Sequence, residues 1–134
     1  MQQKFSIDQI DTIAQEIAFL ISQKNPTVFF IGPTGAGKTT LIKHILKCLG
    51  YDPMQVKSPT FALKRTYQIQ NQTIYHLDLH RLEKQSFQDL ELHDEGTYLI
   101  EWGNIASQAI KPDFIVKLDY THNPDQRLIT IESL

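Results

Sequence analysis

Apolar residues change their spacing along this chain, and each spacing predicts an element. Ile7, Ile10, Ile13, Ile17, Leu20 and Ile21 recur at helical intervals, so residues 7–23 read as an amphipathic helix. Ser6 followed by Gln9 has the spacing of a capping box at its start, and Asn25-Pro26 ends it. The run VFFI at 28–31 is continuously apolar and rich in strand formers, as suits a strand covered on both faces. Leu41, Ile42, Ile45, Leu46 and Leu49 return to helical spacing, and Gly50 takes the place of a helix-ending glycine. Beyond this the period falls to two. Phe61, Leu63, Tyr67 and Ile69 alternate with polar residues, and the habit resumes over 73–79 after Gln70-Asn71-Gln72, which predicts an antiparallel hairpin. A short helix is expected over 86–94, a strand over 98–101, a short helix over 104–110, and two final strands at 114–118 and 128–131 around the turn Asn123-Pro124-Asp125. Strand, glycine-rich loop, helix and further strands predict an α/β chain with a mostly parallel sheet and an antiparallel hairpin portion.

Composition narrows this further. At 134 residues the chain reads as one domain spanning 1–134. Hydrophobic residues make up 41% and charged residues 21%, enough for a packed core. The net charge of −2 argues against holding nucleic acid by bulk electrostatics alone. Cys48 is the one cysteine, so neither an intrachain disulfide nor a cysteine-based zinc site is expected. No apolar run is long enough to span a membrane, and the first 20 residues lack the pattern of a signal or transit peptide. These features favour a cytoplasmic protein with no membrane association.

The chemistry concentrates at GPTGAGKT, residues 32–39, which fits the phosphate-loop pattern G-x-x-x-x-G-K-[ST] in full. Glycines let backbone N–H groups turn inward around a phosphate without Cβ clashes. The helix opening near Lys38 aims its positive dipole end at the same anion. Lys38 supplies a mobile positive charge for the β- and γ-phosphates, and the Thr39 hydroxyl is a hard oxygen ligand suited to magnesium. Thr40 reads as scaffold on these grounds alone. The motif follows a buried strand and opens a helix, the context that nucleotide binding requires.

A phosphate loop needs an acid at a neighbouring strand end to help hold magnesium. Asp78 ends the predicted strand IYHLD, and Glu101 ends YLIE. Either acid has an alternative use, capping the turn that follows it. His76, Asp78 and His80 also admit a rival reading. At alternate positions of one strand they would share a face, as ligands for zinc or iron would.

The motifs GPTGAGKTT at 32–40, SPTF at 58–61, YHLDLHRL at 75–82 and LIEWG at 99–103, in this order, resemble the TsaE family of small P-loop ATPases in bacterial threonylcarbamoyladenosine tRNA modification. The resemblance covers about residues 5–118 and implies a P-loop NTPase-like three-layer sandwich. It implies that Gly35, Ala36, Gly37, Lys38, Thr39 and Thr40 bind phosphate and magnesium, and that Thr60 sits in a switch-like loop near the γ-phosphate. It makes Asp78 a magnesium-site acid, Glu101 the acid that positions water, and Trp102 a neighbour of the nucleotide pocket. It implies ATP and Mg2+ as ligands, TsaD and TsaB as partners, and tRNA as an indirect partner through their complex. This chain departs from the family pattern at Pro33 and Thr34, at His80 in place of a tyrosine, and at Asn104 in place of an acid.

The expected activity is magnesium-dependent ATP hydrolysis with Lys38, Glu101 and Asp78 as its catalytic groups. No arginine stands out as an internal arginine finger, which implies slow turnover until a partner completes the site. Two alternatives use the same loop, a small-molecule kinase and a nucleotide-sensing module that does not hydrolyse. The chain has no arginine-rich insertion to serve as a kinase lid. It also has no guanine-reading N-K-x-D segment, which favours ATP over GTP.

Overall fold

The structure, a computed structural model, describes residues 2–51, 64–69, 71–81, 95–106 and 110–134. Seven strands form one sheet: β1 (Gln2–Ser6), β2 (Thr27–Ile31), β3 (Lys64–Ile69), β4 (Gln72–Asp78), β5 (Thr97–Glu101), β6 (Phe114–Tyr120) and β7 (Gln126–Ser133). Among the described residues two α-helices accompany them, α1 (Ile10–Gln23) and α2 (Lys38–Cys48). The strand order is β1-β7-β6-β2-β5-β4-β3. The four central strands β6, β2, β5 and β4 run parallel; β3 at one side and β7 at the other run against them, and β1 pairs antiparallel with β7.

The central strand explains the arrangement. Val28, Phe29 and Phe30 are all buried, as a strand covered on both faces requires. Val28 and Phe30 face the cluster that contains Ile13, Ala14, Ile17 and Ile21 of α1 and Leu41, Ile42, Ile45 and Leu46 of α2. Phe29 faces the other way, onto Leu77, Ile100, Tyr75 and Tyr98. Each large side chain fully buried here contributes about 1.5–3 kcal/mol over its exposed state. Both described helices lie on the Val28 side of the sheet, and His44 Nδ1 lies 2.6 Å from Asp11 Oδ1 across their contact.

Several expectations need adjustment. The chain begins with a strand, β1, which the pattern of QQKFS did not predict; it is an edge strand whose pairing with β7 rather than its own apolar content defines it. The helix expected over 7–23 opens as a 3-10 turn, Ile7–Gln9, where the Ser6 N–H donates to Gln9 Oε1 at 3.0 Å. Ile7 therefore leaves the buried stripe and is exposed, while Ala14 and Ala18 join it. The expected helix over 104–110 is a 3-10 turn, Gly103–Ala106, as far as it is described. The expected hairpin is present as β3 and β4, and α2 ends as predicted: Gly50 has φ 108°, with Tyr51 N–H bonded to Leu46 O at 3.0 Å. The helix expected over 86–94, residues 61–63 and the SPTF segment lie outside the described residues. No described helix is long and apolar enough to cross a membrane.

Gly103 shows how closely the strand ends pack. A Cβ built there would come within 2.3 Å of the Phe29 ring, itself fully buried. Gly103→Ala should therefore cost about 1–3 kcal/mol, the range for overpacking a core. A lowered urea midpoint with an unchanged denaturant slope would report it.

Candidate nucleotide site

Parallel pairing brings the C-terminal ends of β2, β4, β5 and β6 to one edge of the sheet. The loop over 32–37 crosses this edge from β2 to α2. Its glycines serve different needs. A Cβ on Gly32 would lie 2.3 Å from the Leu118 carbonyl oxygen, so the neighbouring strand leaves no space for one. Gly37 has open space around it but adopts φ 109°, a left-handed conformation that strains other residues. The loop is closed by Ala36 N–H on Pro33 O at 3.1 Å, and the Tyr120 hydroxyl at the end of β6 donates to Thr34 O.

Lys38, the first residue of α2, is nearly covered, at 5% exposure. Its ammonium folds back over the loop, donating to Gly32 O at 2.5 Å and Pro33 O at 3.0 Å. It also lies 4.4 Å from the centroid of the Trp102 ring, within cation–π range. Burial lowers its pKa from the usual lysine value, and the charges of Glu101 and Asp78 oppose that shift. Trp102 has φ 63°, rare for a bulky residue and worth about 1–3 kcal/mol of strain. Its backbone N–H is fixed on Phe30 O at 3.0 Å, and its indole stacks on the His80 ring at 4.7 Å.

The acids sit side by side, because Asp78 and Glu101 are register partners on β4 and β5. Glu101 is 3% exposed. Its Oε1 accepts from the Thr39 hydroxyl at 2.7 Å, and its Oε2 lies 2.7 Å from His76 Nε2. Asp78 Oδ1 accepts the backbone N–H of His80 at 3.0 Å, so it caps the 3-10 turn Leu79–Arg81 while lining the same cavity as Glu101. Both readings of that residue are therefore compatible.

Thr34, Gly35, Gly37, Lys38, Thr39, Thr40, Asp78, His80, Glu101 and Trp102 line one open cavity of about 380 Å³. Nearly all the residues expected from the sequence converge here. Ala36 turns its side chain into the core, so only its backbone remains for a ligand. Thr60 lies outside the described residues. The rival metal site fails geometrically: β4 stops at Asp78, His80 belongs to the next turn, and His76 is committed to Glu101. Among the described residues no three His, Cys, Asp or Glu side chains converge on a metal position. The sequence reading missed His76 as Glu101's partner and Tyr120 as a loop tether. The alternation of β4 put His76 on the face of Asp78, but only the pairing with β5 names what it meets.

The donor set fits the implied ligands. A hydroxyl and two carboxylates are hard oxygen donors of the kind magnesium takes, and they stand beside an ammonium and a glycine-rich loop at a helix start.

Comparison with known proteins agrees with this geometry. The family described as "Threonylcarbamoyl adenosine biosynthesis protein TsaE" matches residues 5–129. The tRNA threonylcarbamoyladenosine biosynthesis protein TsaE of Haemophilus influenzae is 37% identical over 114 residues, 80% of this chain and 71% of that one. Its counterpart in Rickettsia conorii is 35% identical over 125 residues, 87% of this chain and 71% of that one. The crystal structure of Bacillus subtilis YdiB shares the fold, with a TM-score of 0.71 at 24% identity, over 99% of this chain and 86% of that one. A family match that runs from the end of β1 into β7, on a sheet edge that gathers the loop and both acids, makes this chain a member of the TsaE family of threonylcarbamoyl adenosine biosynthesis proteins.

Proposed function

We propose that the chain is a magnesium-dependent ATPase, converting ATP to ADP and phosphate in support of the threonylcarbamoyl transferase complex of tRNA modification. The observation that carries this reading is the convergence of Lys38, Thr39, Asp78 and Glu101 on one cavity at the mouth of the glycine loop. The loop amides and the start of α2 favour an anion there. Lys38 exchanges its carbonyl acceptors for phosphate oxygens, so its charge is already at the site. Thr39, Asp78 and Glu101 would hold magnesium, directly or through water. Magnesium when bound offsets charge between the β- and γ-phosphates. Glu101 orients the attacking water, and Trp102 flanks the nucleotide. Gly35, Ala36, Gly37 and Thr40 contact phosphate through the loop and helix start, and Thr60 approaches the γ-phosphate. Its partners are TsaD and TsaB, tRNA is met through their complex, and the setting is the cytoplasm.

No arginine lines the cavity among the described residues. Where an arginine finger exists it is worth about 10³–10⁵ in rate. Phosphate release should therefore be slow for the chain alone and rise when TsaD and TsaB are added. Lys38→Ala should abolish it, and Glu101→Gln should lower it by about 10²–10⁴-fold, the range for a lost proton-handling group. Tight ATP binding with no phosphate release under any of these conditions would instead favour the nucleotide-sensing module.

The lowered pKa of Lys38 makes a separate prediction. The folded chain holds that proton less tightly than the unfolded chain, so the charged ammonium costs stability at neutral pH. The cost fades as pH rises through the lowered value towards the ordinary 10.5. Lys38→Met should thus melt no lower than the wild type at pH 7 while losing ATP binding. That advantage should shrink in alkaline buffer, as thermal melts across pH would show.

A further inference from the structure

His76 stands on β4 two residues before Asp78 and has no exposed surface. Its Nε2 is 2.7 Å from Glu101 Oε2, and its Nδ1 is buried without a hydrogen-bond partner. An ionised carboxylate only accepts, so the proton between them belongs to Nε2. Nε2 is therefore the ring nitrogen whose hydrogen faces Glu101. The other Glu101 oxygen accepts from Thr39, at the first turn of α2. The carboxylate is thereby fixed at both oxygens, one by a strand and one by a helix.

We infer that His76 is a positioning residue: its Nε2–H pins Oε2 of Glu101, so that Oε1 is presented beside the Thr39 hydroxyl as an oxygen pair for a divalent cation. This rests on the reading of Thr39 and Glu101 as magnesium holders. Without His76 the carboxylate is held only by the Thr39 hydroxyl, and a buried oxygen loses its donor. A glutamine at 76 carries an N–H donor on a side chain of similar reach, whereas leucine fills similar volume with no donor.

The full-length chain provides two readouts. In the first, the protein labelled with nitrogen-15 histidine is observed by long-range proton–nitrogen correlation without nucleotide, and His76→Gln identifies the resonance. A proton on Nε2 is expected; a ring protonated on Nδ1 alone would overturn the inference. In the second, a fluorescent ATP analogue is titrated with magnesium. His76→Leu should raise the half-saturating magnesium concentration by about tenfold or more, while His76→Gln stays within about twofold of wild type, as for loss and rescue of a group that orients a metal ligand. Binding in EDTA should be alike in all three. An unchanged magnesium requirement in His76→Leu would overturn the inference, and if that variant does not fold, the wild-type tautomer decides. A wild-type chain that binds the analogue with magnesium but never releases phosphate would remove the ATPase reading and leave this one intact. A proton on the wrong ring nitrogen would do the reverse.

Discussion

The site depends on the register of three parallel strands. Phe30, the last residue but one of β2, pairs with Glu101, and Glu101 pairs with Asp78, so the last residues of β5 and β4 lie on one line beside the end of β2. Side chains alternate along a strand, and a slip of one residue would turn either acid to the opposite face. The register is held by burial on both sides of the sheet. Ile74 and Leu99 belong to the core under the helices, and Leu77 and Ile100 to the core on the other face. The two acids are polar continuations of strands that apolar residues have already locked. The placement of the two acids at this edge therefore draws its precision from the hydrophobic core.

That edge also carries costs that the rest of the fold sustains. Lys38 is a buried cation, Trp102 holds a left-handed backbone, and Glu101 is a buried acid. Each cost has a visible partner. Two loop carbonyls and an aromatic face receive the ammonium. The Trp102 N–H is satisfied by Phe30 O, which ties the unusual conformation to the central strand. Glu101 is bracketed by Thr39 and His76. The positive φ at 102 lets the chain turn directly into Gly103, whose missing side chain admits the Phe29 ring. The strained residue, the glycine and the phenylalanine thus form one packing solution to a strand that must end at an acid and turn at once.

Much of this was legible in the sequence because it is local. The helical stripe of α2, the apolar run of β2, the glycine loop and the two strand-ending acids are patterns over a few neighbouring residues, and the structure places them as read. What was not legible depends either on residues far apart in the chain or on local turns that interrupt a periodic pattern. β1 has little apolar patterning and becomes a strand by pairing with β7, at the opposite end of the sequence. Ile7 fits a helical stripe by spacing, yet the 3-10 opening of the helix turns it outward. His80 fits an alternating strand by count, yet Asp78 caps the chain into a turn before it. Propensity sets what a segment can form, and a distant partner or a local cap decides between near-equal options.

The loop itself shows the same division between local and distant causes. Its glycine spacing can be read from eight consecutive residues, but its position over the sheet is set from β6. Leu118 O leaves no space for a side chain at 32, and Tyr120 holds Thr34 O, so one strand constrains both the entry and the middle of the loop. Arg127 at the start of β7 lies 5.0 Å over the Tyr120 ring and joins the antiparallel side of the sheet to that tether. On the other side, Lys38 reaches back to the carbonyls of Gly32 and Pro33. A loop rich in glycine would otherwise sample many shapes. Here it is held from β6 on one side and from α2 on the other, which limits that sampling.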